Sequence, residues 1–294
     1  MKRVAQKLQR RRMKEITINV PDGTQLLHVL AVIDKGKEIH YEAKFCDLRD
    51  GNTEYSLNSN DEKNIGESKG FDTETTGFHP ERLDQIIELA AISIDKTGRQ
   101  QEMDEFIKLF RVQELPQQIT ELTGISSDTL SVQGKDEFAV LNKFIDMIQG
   151  NGKTLLIAHN AQFDLKFMAY AIYRNMEYGK GWMQVFNNCD YLDTLTVYKD
   201  RRQYPHRLES AIVQYHLINK VKNSHRAIDD CRALIEVTRC MYEEREDLDR
   251  YVNLFGFNPR YGPDEKKLKK VTYVSQSMDA YLGRPLYETI KKGV

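Results

Sequence analysis

Residues 155–164 constrain the fold more than any other stretch. Leu155-Leu156-Ile157-Ala158 is short and wholly apolar. His159-Asn160-Ala161-Gln162-Phe163-Asp164 follows at once and leads into Leu165–Tyr178, which reads as a helix. Four apolar residues in a row suit a strand buried on both faces. A buried strand that feeds a helix belongs to α/β architecture, and such sheets hold their binding groups at the strand end.

The surrounding region, 71–243, extends that pattern. Ile86–Ile94 and Phe106–Phe110 read as strands. Phe138, Leu141, Ile145 and Ile148 recur at helical spacing, with Gly150 placed as a stop. Asp193–Asp200, Leu208–Leu217 and Ile228–Tyr242 read as helices. Strands first, then helices alternating with strands, imply a mixed sheet covered by helices.

Upstream, 15–58 reads as a small β unit, an OB-like barrel or a hairpin pair. Ile16–Val20 and Leu26–Ile33 are apolar runs, and Ile39, Tyr41, Ala43 and Phe45 alternate with polar residues. Pro21-Asp22-Gly23 and Asp50-Gly51 are turn signals, and Asn58–Gly70 is polar and loop-like. Beyond Glu246 lies an aromatic, basic tail. The organisation expected is 1–66 (basic arm and β unit), 67–246 (central domain) and 247–294 (C-terminal extension).

Charge is uneven along the 294 residues. Lys2, Arg3, Lys7, Arg10, Arg11, Arg12 and Lys14 precede the first acid. Taking these seven from 43 basic groups leaves 36 against 44 acidic. Lys266, Lys267, Lys269, Lys270, Lys291 and Lys292 form further basic clusters. A negative body with positive ends suits cations in the middle and polyanions at the ends. The alternative is a solvated terminus, and Met13 is an alternative start. No apolar run approaches the roughly 20 residues of a membrane span, and no secretory signal is visible. Cys46, Cys189, Cys231 and Cys240 are scattered without a C-x-x-C, so a reduced, cytoplasmic setting is expected.

Three stretches could carry chemistry. In Phe71-Asp72-Thr73-Glu74-Thr75-Thr76-Gly77, Asp72 and Glu74 share one face of a strand. Paired carboxylates repel unless a cation joins them, and hard oxygen ligands suit Mg²⁺ or Mn²⁺. In the second stretch, Asp164 near a helix start is either a dipole stabiliser or a further metal carboxylate. His159 there reads as a packed histidine in preference to a ligand. In His225-Arg226-Ala227-Ile228-Asp229-Asp230, the spacing lets a loop histidine and a first-turn carboxylate reach one cleft. A histidine is a suitable base for a water molecule. Each stretch alone is weak.

Together and in this order, F-D-x-E-T-T-G, H-N-A-x-F-D and H-R-A-x-x-D resemble the DEDDh 3′–5′ exonucleases. This is the DnaQ-like group that includes polymerase proofreading subunits and RNase T. The resemblance covers about 71–243. Gln85–Ala91, Leu122-Thr123-Gly124-Ile125 and Leu192-Asp193-Thr194-Leu195 add to it. Arg226, not Tyr, stands four residues before Asp230, which fits the histidine class.

The resemblance implies a ribonuclease H-like fold and two divalent ions, Mg²⁺ or Mn²⁺. Asp72 would bridge both ions, Glu74 and Asp230 would complete one site, and Asp164 would support the other. His225 would take the proton from water. Thr75, Thr76, Leu122, Asn160 and Phe163 would lie near the terminal nucleotide, with Phe78 at the mouth; core packing is the other role for Leu122 and Phe163. The partner implied is a single-stranded 3′ end, DNA ahead of RNA, and a DNA polymerase is a further candidate. The competing expectation is a catalytically silent nucleic-acid-binding or polymerase-associated module. One departure stands out: Asn64–Gly70 is polar and glycine-containing where the family has an apolar strand. The strand is therefore expected to begin at Gly70 or Phe71, the alternative being an unusual or weakly ordered sheet there.

Overall fold

The architecture is that of a computed structural model. It describes the backbone of 2–6, 16–20, 24–35, 38–47 and 54–58. It also describes 68–290, except 95–98, 150–153, 223, 261, 264–267 and 278–284. The turn signals at Pro21–Gly23 and Asp50-Gly51, most of the basic arm, Gly150, and Lys266, Lys267, Lys291 and Lys292 lie outside the described residues. The chain divides into two compact units, Met1–Ile65 and Gly66–Val294.

In the first unit, β1 (Lys2–Gln6) and β2 (Ile16–Val20) form an antiparallel pair. A separate antiparallel meander contains β3 (Thr24–Lys35), β4 (Glu38–Asp47) and β5 (Glu54–Asn58). The described strands form these two ladders, not an OB-like barrel.

The second unit is a five-stranded mixed sheet with helices packed on it. Its strands are β6 (Ser68–Thr75), β7 (Ile86–Ile94), β8 (Gln100–Phe106), β9 (Leu155–Ala158) and β10 (Asp190–Asp193). Their spatial order is β10-β9-β6-β7-β8. β6, β7 and β8 form an antiparallel meander, while β9 runs parallel to β6 and β10 parallel to β9. Helices α1 (Gln117–Thr123), α2 (Ser127–Gln133) and α3 (Glu137–Ile148) precede β9. Helices α4 (Ala161–Arg174) and α5 (Trp182–Asn188) lie between β9 and β10. After β10 come α6 (Thr194–Arg201), α7 (Leu208–Gln214) and α8 (Ala227–Glu244). No described helix is long and apolar enough to cross a membrane.

The strand expected from Gly70 begins earlier, at Ser68. Lys69 is fully buried, and its ammonium donates to Ser93 Oγ on β7 at 3.2 Å. Gly70 faces α8: a Cβ there would lie 3.3 Å from Ile235 Cγ1. The glycine therefore lets a helix close on the central strand. The strand expected at Phe106–Phe110 instead ends at Phe106 and starts at Gln100. It is the sheet edge, and Gln100, Gln101, Glu102 and Asp104 are exposed, so it lacks an apolar signature.

The sheet separates two main apolar layers. Phe71, Leu89, Leu156, Phe167 and the α3 residues Leu141 and Phe144 lie in one. Ile157, Leu192, Val197, Leu234 and Val237 lie in the other. The C-terminal segment joins this unit. β11 (Leu254–Phe257) pairs in parallel with β12 (Thr272–Ser275), and Phe255 and Val271 enter the first layer.

Candidate active site

The parallel strands β6, β9 and β10 end at the same edge of the sheet, and the expected site residues gather there. Asp72 pairs across the ladder with Ala90, and Glu74 with Glu88. Side chains two apart, and those directly opposite, share a face. Asp72, Glu74 and Glu88 therefore face the same way, towards α8. A register shift after Glu74 ends the regular pairing. Bulges are common where a strand must re-aim a side chain beside a site.

Asp230, on the first turn of α8, completes the group. Ligand oxygens of Asp72, Glu74 and Asp230 all lie within 4.8 Å of one another. Asp164 is outside this trio but tied to the same strand: its Oδ1 accepts the N–H of Thr73 at 3.1 Å and the Thr73 hydroxyl at 2.6 Å. The last β6–β9 pair is Gly70 with Ile157. Past it the Thr73 N–H has no strand partner on that side, and Asp164 supplies the acceptor.

The electrostatics are those of a site short of positive charge. Burial, followed by the charges of Asp164, Glu74 and Asp230, holds Asp72 well above the usual carboxylate range. Burial and then Asp230 push Glu74 to about 9. Burial and then Asp229 push Asp230 to about 7. Asp164 is raised by burial against the opposing effect of its Thr73 bonds. Asp230 Oδ1 is buried and has no hydrogen-bond partner among the described residues. Such carboxylates either keep protons or share a cation. The all-oxygen trio fits a hard divalent ion.

His225 is exposed and sits just before α8, with φ of 52°. Histidine is one of the residues that tolerate this left-handed region. Arg226 follows as the N-cap, and the α8 start is pinned by Glu88, which is completely buried. The Arg226 guanidinium bonds Glu88 at 3.0 and 2.7 Å, and the Ala227 N–H donates to Glu88 Oε2 at 3.0 Å. This anchor was not assigned from the sequence. Its signal was a lone acid inside the apolar run Ile86–Ile94.

The residues expected near a terminal nucleotide differ in their surroundings. Thr75 donates to the Gly77 carbonyl at 2.7 Å, and Thr76 donates to Asp84 Oδ1 at 3.1 Å, so both hydroxyls brace the loop after β6. Leu122 is 53% exposed and Phe78 73%. Phe163 packs between Phe78 and Phe167, with ring centroids 6.2 and 5.0 Å away. Asn160 is exposed in a left-handed conformation at the N-cap of α4. His159 bonds Thr194 Oγ1 at 3.0 Å and the His206 carbonyl at 2.9 Å, the packed role expected of it.

Asp193 is a second residue whose role was not assigned from sequence. Its carboxylate accepts the N–H groups of Asn160, Ala161, Leu195 and Thr196, so one side chain caps the starts of both α4 and α6. An acid directly before a helix is the signal for such a cap.

Comparison with known proteins gives the family and the fold. The chain is 32% identical over 207 residues to the PolC-type DNA polymerase III of Clostridium perfringens, covering 69% of this chain and 13% of that protein. It is 30% identical over 175 residues to the DNA polymerase III subunit epsilon of Treponema pallidum, covering 58% of this chain and 74% of that one. The chain thus spans a small part of the PolC-type polymerases it matches. Among solved structures, E. coli Exonuclease I in complex with a dA16 oligonucleotide superposes with a TM-score of 0.53 at 22% identity. That match covers 63% of this chain and 42% of the other. It shares the α/β, ribonuclease H-like fold. Residues 70–238 match the sequence family described as Exonuclease, and the chain belongs to that family.

Proposed function

We propose that the chain is a 3′–5′ exonuclease that hydrolyses the terminal phosphodiester of a single strand and releases nucleoside monophosphates. DNA is the preferred substrate over RNA. One observation carries this reading: three carboxylates from two distant segments bring ligand oxygens within 4.8 Å of one another. A fourth, Asp164, is fixed to the same strand through Thr73.

In this reading Asp72, Glu74 and Asp230 would hold one divalent ion and Asp164 would support a second, Mg²⁺ or Mn²⁺. Such ions would neutralise the phosphodiester, acidify the attacking water and stabilise the departing 3′-oxygen. His225, on the exposed approach to α8, takes the proton from that water. Leu122, Phe78 and Phe163 offer apolar surface to the terminal base. Asn160 lies near the same nucleotide, and Thr75 and Thr76 keep the loop beneath it in shape.

The polymerase relatives and the oligonucleotide-bound Exonuclease I support a DNA substrate. The polymerase relatives also support a place beside a DNA polymerase, and the location proposed is the cytoplasm. The basic residues of 1–14 add attraction for a polyanion. The test is incubation with 5′-labelled single-stranded DNA and RNA in Mg²⁺, Mn²⁺ or EDTA. A stepwise ladder that disappears with Asp72→Ala or EDTA is expected. An untouched substrate in every metal refutes the reading.

A further inference from the structure

Lys199 stands in a place the proposed chemistry does not use. It lies in the last turn of α6 and is only 9% exposed. It lines a cleft of about 420 Å³ together with Asn160, Gln162, Asp193, Phe257 and Asn258. Among the described residues its ammonium has no hydrogen-bond partner; its nearest electrostatic neighbour is Asp193. Among the described residues Asp193 is the only acid lining the cleft. Its two oxygens already accept four backbone N–H groups and the Thr196 hydroxyl. Its charge is therefore spent on two helix starts.

Lys199 is held mostly out of water with its charge only partly offset by Asp193, and an anion entering the cleft would complete that balance. Lysine is a point charge suited to a phosphate oxygen. The rest of the wall suits a nucleoside: amides that both donate and accept, and an aromatic ring on which any base can stack. The position also fits. Asn160 and Gln162 of the cleft wall and Asp164 of the acidic site all belong to the N-terminal end of α4. The far wall, from β11 and Asn258, lies beyond residues 70–238 and so outside the stretch shared with the family.

We propose that this cleft holds an internal nucleotide of the single strand, upstream of the reacting 3′ end, with its phosphate on Lys199 and its base against Phe257. The assignment rests on the exonuclease reading above.

Steady-state cleavage by the full chain in Mg²⁺ tests it, with two substrates. One is a deoxythymidine dinucleotide without a 5′-phosphate, whose only phosphate is the scissile one; the other is the octanucleotide. Lys199→Met keeps the stem volume and removes the charge. It should raise KM for the octanucleotide about tenfold, the worth of a hydrogen bond to a charged group. Its kcat and its dinucleotide cleavage should match wild type. Lys199→Arg should recover most of the octanucleotide affinity. In an Asp72→Ala background, Lys199→Met should lower the log–log salt slope of octanucleotide binding by about 0.7, one phosphate contact on a single strand. An active wild type with unchanged KM and salt slope in Lys199→Met overturns the cleft assignment and leaves the exonuclease reading intact. Equal losses on both substrates also overturn it. A wild type that cleaves neither substrate overturns both readings.

Discussion

Arg226 clasps the buried carboxylate of Glu88 through Nε at 3.0 Å and Nη2 at 2.7 Å, joining the start of α8 to the middle of β7. The guanidinium also lies over the Phe106 ring, 4.9 Å from its centroid. Glu88 is opposite Glu74 in the ladder, and the charge of this cation opposes the rise of Glu74. The pair also sets the entry angle of the helix that carries Asp230.

The two partners are unequally buried, and that asymmetry is testable. Arg226→Met leaves Glu88, fully buried, without its cation. A cost of about 3 kcal/mol is expected for a stranded buried charge. Glu88→Gln leaves a guanidinium whose side chain is 34% exposed and can turn to water, so the cost falls to about 1 kcal/mol. Denaturant unfolding of both variants measures the difference. Activity should fall in both, through displacement of His225 and Asp230, with metal affinity weakened more than substrate affinity.

The crowded carboxylates make a second prediction, with a definite sign. Glu74 is raised to about 9 and Asp230 to about 7. In the unfolded chain both titrate near 4. Between those limits the folded state binds more protons than the unfolded one, so metal-free stability falls as pH rises. In EDTA the melting temperature should decline steadily from about pH 5 to about pH 9. Mg²⁺ should restore more at the alkaline end, where the charges it bridges are fully formed. Glu74→Gln should flatten the EDTA profile. A melting temperature that climbs over this range refutes the charge balance described above.

Much of this arrangement was legible in the sequence, and the failures have physical causes. Leu155–Ala158 and Ile86–Ile94 read correctly because buried strands are continuous apolar runs, and their observed limits are the expected ones. Helix α8 was legible from its periodicity, to within a residue or two at each end. The start of β6 was not, because Lys69 and Gly70 are polar or small for tertiary reasons: one bonds Ser93, and the other admits Ile235. β8 was missed as an edge strand with alternating charge. β10 is only four residues long and gains its order from β9 and from Asp193. The convergence of Asp72, Glu74 and Asp230 was expected from motif resemblance, since their separation in sequence contains no distance. The Glu88–Arg226 pair needed the register of β6 on β7, which no local pattern contains.

Gly77 closes the first motif for a reason visible in its surroundings. A Cβ there would lie 2.5 Å from Asp84 Oδ2. That carboxylate holds the loop, accepting the Thr76 hydroxyl at 3.1 Å and the His79 N–H at 2.8 Å. Gly77→Ala must push Asp84 away, and overpacking of this kind costs about 1–2 kcal/mol. The loop follows Glu74 directly, so the expected kinetic result is a raised KM with a smaller fall in kcat. Asp84→Ala, which removes the clash and the bonds together, should reproduce the KM change. A Gly77→Ala enzyme with unaltered kinetics would show that this loop does not shape the substrate end.

Leu122 and Phe163 are both proposed to meet the terminal base, yet their burial separates binding from packing. Leu122 projects into solvent at the end of α1. Truncating an exposed side chain usually changes stability by less than about 0.5 kcal/mol. Leu122→Ala should therefore melt like wild type while raising KM for short oligonucleotides. Phe163 is partly buried against Phe167 and the first apolar layer. Phe163→Ala should cost about 2 kcal/mol, below the full-burial value because one face of the ring is open. Its KM should rise as well. Phe163→Leu keeps much of the volume and removes the aromatic face, so it isolates the contribution of stacking. If Phe163→Leu restores stability while KM stays high, the ring contacts the base. If it restores both, Phe163 is a packing residue and the base rests on Leu122 and Phe78 alone.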